Sequence, residues 1–434
     1  MSRHPRYRAT IEGLFARLPM YQRVGATAFK KDLTNIRALC DVLGHPHDRF
    51  RSIHVAGTNG KGSVTHIIAA GLMAGGHRTG CYTSPHYVDF RERIKIDGQL
   101  ITEAEVVDFV DRIGDHLDRI EPSFFEITVA MAFDHFARHA VDCAVVEVGL
   151  GGRLDSTNII RPELSVITNI GWDHMDMLGD TLPEIAAEKA GIIKPGVPVL
   201  VGEHQPEVHD VFVRVARERG ARLSLARDLI HLDDFCDEAT GSRFTLNGRL
   251  VHTDLSGTYQ AKNLQTGIAA LHLLQETWPV SDDQLTDGLR SVRSSTHFLG
   301  RWMVLDVDPV TIADSAHNIN GLQLAIEQFT KIASPHRHIV LGVVRDKDLD
   351  ALLPLLPADA SYHLARPDVP RGLDAHELAL ALDRHGLSHT VHDSVGDAVG
   401  AARAAAGRDG TVLVTGSIFV VGEALARSPR GSAD

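Results

Sequence analysis

Residues 54–64 read HVAGTNGKGSV, a glycine-rich turn that places a lysine between a β-branched run and an apolar helical pattern. Free N–H groups at a helix start, beside Gly57, Gly60 and Gly62 and the ammonium of Lys61, make a phosphate cradle. The spelling is not that of the common phosphate-binding loop. Val55 stands where a first glycine would be, and Gly62 follows Lys61, with Ser63 one step later. The plain alternative is a tight strand-to-helix turn with a solvated lysine. A second cluster, VVEVGLGGRLDSTN, sets Glu147 inside an apolar strand, where an ionised carboxylate is costly unless a cation or donor meets it. Mg²⁺ suits such a group, as would a buried arginine. Arg153 and Asp155 follow the Gly-Gly turn and could face a substrate.

A third segment, TNIGWDHMDMLGDTLPEIAAEKAGIIKPG, carries His174 between Asp173 and Asp176, and Lys189 after Glu188. Taken singly, His174 reads as a structural or surface histidine and Lys189 as half of a solvated charge pair. Gln260 and Asn263 share a helical face, Arg301 follows LG, and Asp314 and His317 end the run VTIADSAH. Each alone has a bland reading as a cap or surface group.

These residues need elements to hold them. RSIHVAG, RTGCYTS, DCAVVEVG and LSVITNI read as strands alternating with helical patterns such as KGSVTHIIAAGLMAGG, the pattern of a parallel α/β sheet. In such sheets ligands gather at the carboxyl ends of strands. Around LNGRL the period turns to alternation, and Asn-Gly marks a hairpin. RSSTHFLGR reads as a polar bridge, and a fresh strand–helix alternation starts at WMVLDV. The fold class expected is α/β in two domains. Residues 1–298 would form a P-loop-type mononucleotide-binding domain with a small β insertion, and residues 299–434 a Rossmann-like domain. RSPRGSAD reads as a loose tail.

The 434 residues carry a formal net charge of -12, which argues against a nucleic-acid or membrane-surface binder. No stretch approaches a membrane span, and TVLVTGSIFVVGEALA is broken by Gly416, Gly422 and Glu423. The four cysteines form no C-x-x-C pair, and three sit in apolar runs as reduced, buried thiols. The start lacks a secretory signal. A cytoplasmic monomer acting on small molecules is the expectation.

In order along nearly the whole chain, HVAGTNGKGSV, TSPHYVDFRERIKIDG, FFEITVAMAF, VVEVGLGGRLDSTNII, TNIGWDHMDMLGDTLPEIAAEKAGIIK, AKNLQTG, LGRW, DSAHN, RDKD and GSIFVVGEA closely resemble the folylpolyglutamate synthase/dihydrofolate synthase family of the Mur ligase superfamily. The resemblance implies that Thr58, Asn59, Gly60, Lys61, Gly62 and Ser63 surround the ATP phosphates, so the apparent misspelling is a family variant. It implies Mg²⁺ at Ser84, Glu147 and His174, and catalytic roles for Lys61, His174 and Lys189, the last matching a lysine carbamylated by CO₂. Asn263 would contact ATP from the first domain, and Arg301 and Asp314 from the second. Phe124, Phe125 and Glu126, with Leu154, Asp155 and Ser156, match the pterin side, where an aromatic ring and a carboxylate suit a flat heterocycle. Two departures stand out: Arg91 in place of a common asparagine, and no proline after Asn318.

The implied reaction is amide ligation of L-glutamate to dihydropteroate or to reduced folates through an acyl phosphate. A ligase acting on nucleotide-linked cell-wall precursors shares the same ATP and metal residues. The segments TSPHYVDFRERI and VGLGGRLDSTN favour the folate reading. An ATP-dependent switch without ligase activity would not need Glu147, His174 and Lys189 together.

Overall fold

A computed structural model describes residues 4–18, 32–238 and 240–428. Its first domain is built on eight strands: β1 (Ser52–Ala56), β2 (Thr79–Tyr82), β3 (Ile94–Ile96), β4 (Gln99–Leu100), β5 (Cys143–Glu147), β6 (Leu164–Ile167), β7 (Val199–Val201) and β8 (Leu223–Leu225). They lie in the order β4-β3-β2-β5-β1-β6-β7-β8. The run from β2 to β8 is parallel, and β3 and β4 add an antiparallel edge. Residues of β1, β2, β5 and β6 are buried throughout, because helices cover both faces of the sheet.

The covering helices have readable starts and stops. Lys61–Ala74 begins at Gly60, whose φ of +84° lies in the left-handed region, and closes at Gly75. Phe124–Arg138 opens with a capping box in which the Ser123 hydroxyl accepts from the Glu126 N–H and Glu126 accepts from the Ser123 N–H. That box sets Phe124, Phe125 and Glu126 on the first helical turn. Thr181 and Glu184 form the same device ahead of Leu182–Ala190, which carries Lys189.

The β insertion is a three-stranded antiparallel sheet of β9 (Asp233–Glu238), β10 (Gly241–Leu246) and β11 (Arg249–Thr253), with the Asn247-Gly248 turn joining the last two. Both turn residues have positive φ, as the hairpin expects. The second domain holds β12 (Met303–Val307), β13 (Val310–Ala313), β14 (Arg337–Leu341), β15 (Ala360–Leu364), β16 (His389–Val391) and β17 (Thr411–Thr415). Their order is β12-β13-β17-β14-β15-β16, parallel except for β12.

One sequence expectation needs correction. Part of the polar bridge RSSTHFLGR is helical, because Val292–Thr296 forms a short helix whose Val292 and Thr296 are buried. The polar spelling hid it: the Thr296 hydroxyl donates to the Val292 carbonyl and meets His66 Nδ1 at 2.7 Å, both inside the fold. All four cysteines are free thiols, with Cys40, Cys81 and Cys143 buried. Residues 429–434 of the tail lie outside the described residues.

Burial keeps several histidines neutral. His54 on β1 is fully enclosed, with Nε2 2.8 Å from the Thr157 hydroxyl, and burial pushes its pKa down to about 3; burial does the same to His86. In the unfolded chain both take up a proton near pH ~6.5. Their stability contribution is therefore complete above that pH and lost as pH falls towards 3, since the unfolded state binds more protons across that interval. Urea unfolding at pH 7 and pH 5 should show stability lower at pH 5 by at least about 2 kcal/mol.

Candidate active site

The parallel register aligns the strand ends. Val55 pairs with Glu147, Ala56 with Ile167, and Tyr82 with Val146, so the segments after β2, β5, β1 and β6 leave the sheet along one edge. The loop after β1 is pinned by the residues after β6. Thr58 N–H donates to the Asn169 carbonyl at 2.8 Å, Asn59 N–H to Asn169 Oδ1 at 2.9 Å, and the Thr168 hydroxyl to the Asn59 carbonyl at 2.6 Å. Space there is tight. A Cβ on Gly57, at φ +147°, would fall 1.8 Å from Thr168 Oγ1, and one on Gly60 would fall 2.3 Å from Asn263 Oδ1. The Gly60 contact shows Asn263 packed against the loop and buried, as is Gln260, rather than solvated on a helix face. Lys61 Nζ donates to the Gly57 and Thr58 carbonyls at 3.2 Å each, which holds its charge over the loop. Ser63 is buried on the first turn of the following helix.

Glu147 is 5% exposed. Among the described residues, its hydrogen bond comes from the Ser84 N–H at 3.3 Å and no arginine forms an ion pair with it. Burial raises its pKa, an effect that Lys61 and the Ser84 N–H reduce. An under-neutralised buried carboxylate beside a serine fits a hard cation. His174 caps a short helix with φ +51°, a strained setting for a non-glycine residue. Burial holds its pKa down to about 4, so the imidazole is neutral and able to donate a lone pair. Ser84 links the two groups: it lines a cavity of about 50 Å³ with Glu147 and one of about 210 Å³ with His174.

Lys189 is 4% exposed, not half of a solvated pair. Its Nζ donates to the Gly57 carbonyl at 2.9 Å, while Glu188 turns outward to Arg153. Arg153 is therefore a surface partner. Burial, with Lys61 nearby, pushes the Lys189 pKa down to about 7.

The cavity of about 210 Å³ gathers Phe124, Phe125, Glu126, Leu154, Asp155 and Ser156, all six residues matched to the pterin side. Asp155 is held by the Leu150 N–H at 2.8 Å and the Thr157 N–H at 3.0 Å. Gly149 lets Phe125 lie close, because a Cβ there would sit 2.4 Å from the ring. The opposite wall comes from the second domain: Arg301, Ser315, His317, Lys347, Arg371 and Phe419. Arg301 donates to the Tyr87 hydroxyl at 2.7 Å, and Asp314 accepts from the Tyr259 hydroxyl at 2.6 Å, so both tie the domains together. Asn318 Nδ2 donates to Asn59 Oδ1 at 3.0 Å, from the second domain to the phosphate-type loop.

Sequence reasoning did not single out Asp173, Lys347 or Arg371 as site residues. Burial opposes ionisation of Asp173, yet His174, Lys347 and His317 around it hold its carboxyl far below the usual range. Lys347 lies 3.4 Å away. The turn GVVRDKD after β14 marks Lys347 in outline, whereas Arg371 lies in a loop with no sequence signal. Of the two departures, Arg91 forms a forked pair with Asp89, and Asn318 caps its helix through the Gly321 N–H without a proline.

Models of the Mur ligase middle domain and of the Mur ligase glutamate ligase domain match residues 55–271 and 300–418. The dihydrofolate synthase/folylpolyglutamate synthase of Bacillus subtilis is 34% identical over 417 residues, which span 91% of this chain and 94% of that protein. This chain belongs to the dihydrofolate synthase/folylpolyglutamate synthase family. Solved family members share the architecture. Mycobacterium tuberculosis folylpolyglutamate synthase complexed with ADP and AMPPCP matches with a TM-score of 0.86 at 31% identity, over 99% of both chains. E. coli FolC in complex with DHPP and ADP matches with 0.82 at 29%, over 96% of this chain and 97% of its own. No helix among the described residues is long and apolar enough to cross a membrane.

Gly57 offers a direct check of the loop geometry. Gly57→Ala should destabilise the fold by about 1–3 kcal/mol through backbone strain and the overlap with Thr168, read by urea unfolding. Gly76→Ala, at φ +83° with open space around it, separates the two causes because it carries the backbone strain alone.

Proposed function

We propose that this protein is a bifunctional ATP-dependent ligase. It joins L-glutamate to dihydropteroate and to the γ-carboxylate of reduced folates through an acyl phosphate. The observation that carries this reading is the cavity between the domains, where Phe125, Glu126 and Asp155 face Lys347 and Arg371, and which shares Ser84 with the smaller cavity bordered by Gly62 of the glycine-rich loop. A flat pterin suits the aromatic and carboxylate wall. Anionic carboxylates of an incoming amino acid suit the cationic wall.

In the first step the substrate carboxylate attacks the γ-phosphate, the bond to the β-phosphate oxygen breaks and ADP leaves, a displacement that brings like charges together. The N–H groups of residues 60–63 at the helix start and the Lys61 ammonium neutralise and align them. Ser84, Glu147 and His174 would hold Mg²⁺, which supplies further neutralisation of phosphate charge when bound. Asn263, Arg301 and Asp314 would seat the nucleotide from both domains. In the second step the glutamate amine attacks the acyl carbonyl and phosphate leaves. Asp173 is placed to orient Lys347 on that side. We place the domain division at residues 1–298 and 299–434, and read the enzyme as a cytoplasmic monomer.

Lys189 is read as a carbamate site. Carbamylation needs a neutral amine, and a buried lysine with a pKa near 7 supplies one at neutral pH. The product would put an anion near Lys61 in place of that amine. The intact protein in bicarbonate should then gain the mass of one CO₂, a gain absent from Lys189→Ala. An unchanged mass in native spectra would remove the carbamate from the scheme.

Activity is tested by product mass with ATP, Mg²⁺ and glutamate, using dihydropteroate and a reduced folate monoglutamate in separate reactions. One glutamate added to each substrate establishes both activities, and product from one alone narrows the assignment. Glu147→Gln should lower kcat by roughly 10²-fold or more while the fold persists by circular dichroism.

A further inference from the structure

The helix that starts with Phe124 and Phe125 ends in a cluster that the proposed reaction does not use. His135 and His139 stand one helical turn apart, so their rings leave the same face, with centroids separated by 4.4 Å. Glu105, on the neighbouring helix Glu103–Ile113, meets both. Its Oε1 lies 2.6 Å from His139 Nε2 and 3.6 Å from His135 Nδ1. One donor atom from each of the three residues lies within 4.8 Å of the others. A cavity of about 10 Å³ borders all three, which is room for one water-sized particle.

We infer that Glu105, His135 and His139 form a structural site for a Zn²⁺-class transition metal, which staples the helix Glu103–Ile113 to the helix Phe124–Arg138. Two imidazoles and one carboxylate are the donors such ions prefer, whereas Mg²⁺ and Ca²⁺ favour oxygen alone. A tetrahedral ion with bonds near 2.0–2.1 Å separates its donors by about 3.3 Å. The two distances to Oε1 bracket that value, and drawing the two ring nitrogens together from within 4.8 Å completes the set, with water as the fourth ligand. A simple ion pair accounts for His139 but not for the approach of His135 to the same oxygen.

The cluster is also ready in its proton states. Burial pushes the His135 pKa down to about 4, leaving the ring neutral. Burial works against Glu105, but the Thr102 hydroxyl and N–H and His139 hold its carboxyl down to about 2. Thr102 binds Oε2 through both groups, which leaves Oε1 to the rings. Binding would replace the 2.6 Å contact of His139 Nε2 with Glu105, displacing the proton held there, and would give up Arg78 Nη2 to His139 Nδ1 at 3.5 Å. The site lies about 15 Å along the helix from Glu126, at ~1.5 Å per residue, too far to touch the reacting groups.

The test uses the full chain stripped of metal. Zn²⁺ is added with equilibrium dialysis and thermal unfolding as readouts, and Co²⁺ with ligand-field absorption. His174 and Glu147 are read above as cation ligands, so His174→Ala is titrated in parallel. One equivalent of Zn²⁺, with a rise of several degrees in Tm at large excess, should persist in His174→Ala and vanish in His139→Ala. His139→Cys should keep the ion and add a thiolate-to-cobalt charge-transfer band. Turnover of His139→Ala should match the unsubstituted protein. Retention of the equivalent in His139→Ala, or no binding to the unsubstituted protein at excess Zn²⁺, overturns the inference. If His139→Ala fails to fold, the cobalt spectrum of His139→Cys decides, and its lack of a thiolate band would count against the site.

Discussion

The placement of β1 between β5 and β6 is the constraint on which the rest of the site depends. Parallel strands in near-matched register end together, so the loop after β1, Glu147 and Thr168-Asn169 meet at one edge without any residue reaching far. The loop is then shaped by hydrogen bonds from Thr168 and Asn169 and by the absence of a Cβ at Gly57 and Gly60. Both glycines answer a close approach as well as a positive φ. A larger residue at either would have to move a neighbouring strand's end or the helix of Asn263.

That crowding has an electrostatic consequence. The edge collects buried Lys189 and Glu147 with half-buried Lys61, Asp173 and His174, a setting in which charge costs solvation energy. Burial moves Lys189 and His174 towards their neutral forms and Glu147 towards its acid. Asp173 goes the other way because His174, Lys347 and His317 surround it and the Asn318 amide donates to it. Neutral His174 can bind metal and neutral Lys189 can take up CO₂, while an incoming cation would restore the Glu147 carboxylate. The same physics that makes the edge costly in the ligand-free protein makes it receptive.

The second domain contributes through a few polar contacts rather than by extending the first sheet. Arg301 to Tyr87, Tyr259 to Asp314 and Asn318 to Asn59 each join one residue from either side. They close the cavity's far wall with Lys347 and Arg371. Side-chain hydrogen bonds of this kind can exchange for contacts to substrate at small net cost.

The strands, their alternation with helices and the hairpin at Asn247-Gly248 were legible in the sequence, because each follows from local period and turn chemistry. The glycine-rich loop, Glu147 and the six cavity residues Phe124, Phe125, Glu126, Leu154, Asp155 and Ser156 were legible through spelling and order along the chain. The helix Val292–Thr296 was not, since its polar residues are buried by tertiary contact. Nor was the burial of Lys189, whose neighbour Glu188 disguised it as a surface pair until the fold turned one inward and the other to Arg153. Lys347 reaches Asp173, 174 residues away, only because loops from two sheets face each other, and Arg371 is held beside them by Asp346, 25 residues away. Sequence by itself determined the elements and the family, for those rest on neighbours in the chain. The protonation states, the shape of the loop and the cationic wall were decided by tertiary structure alone, because burial and charge depend on what distant segments bring within a few ångströms.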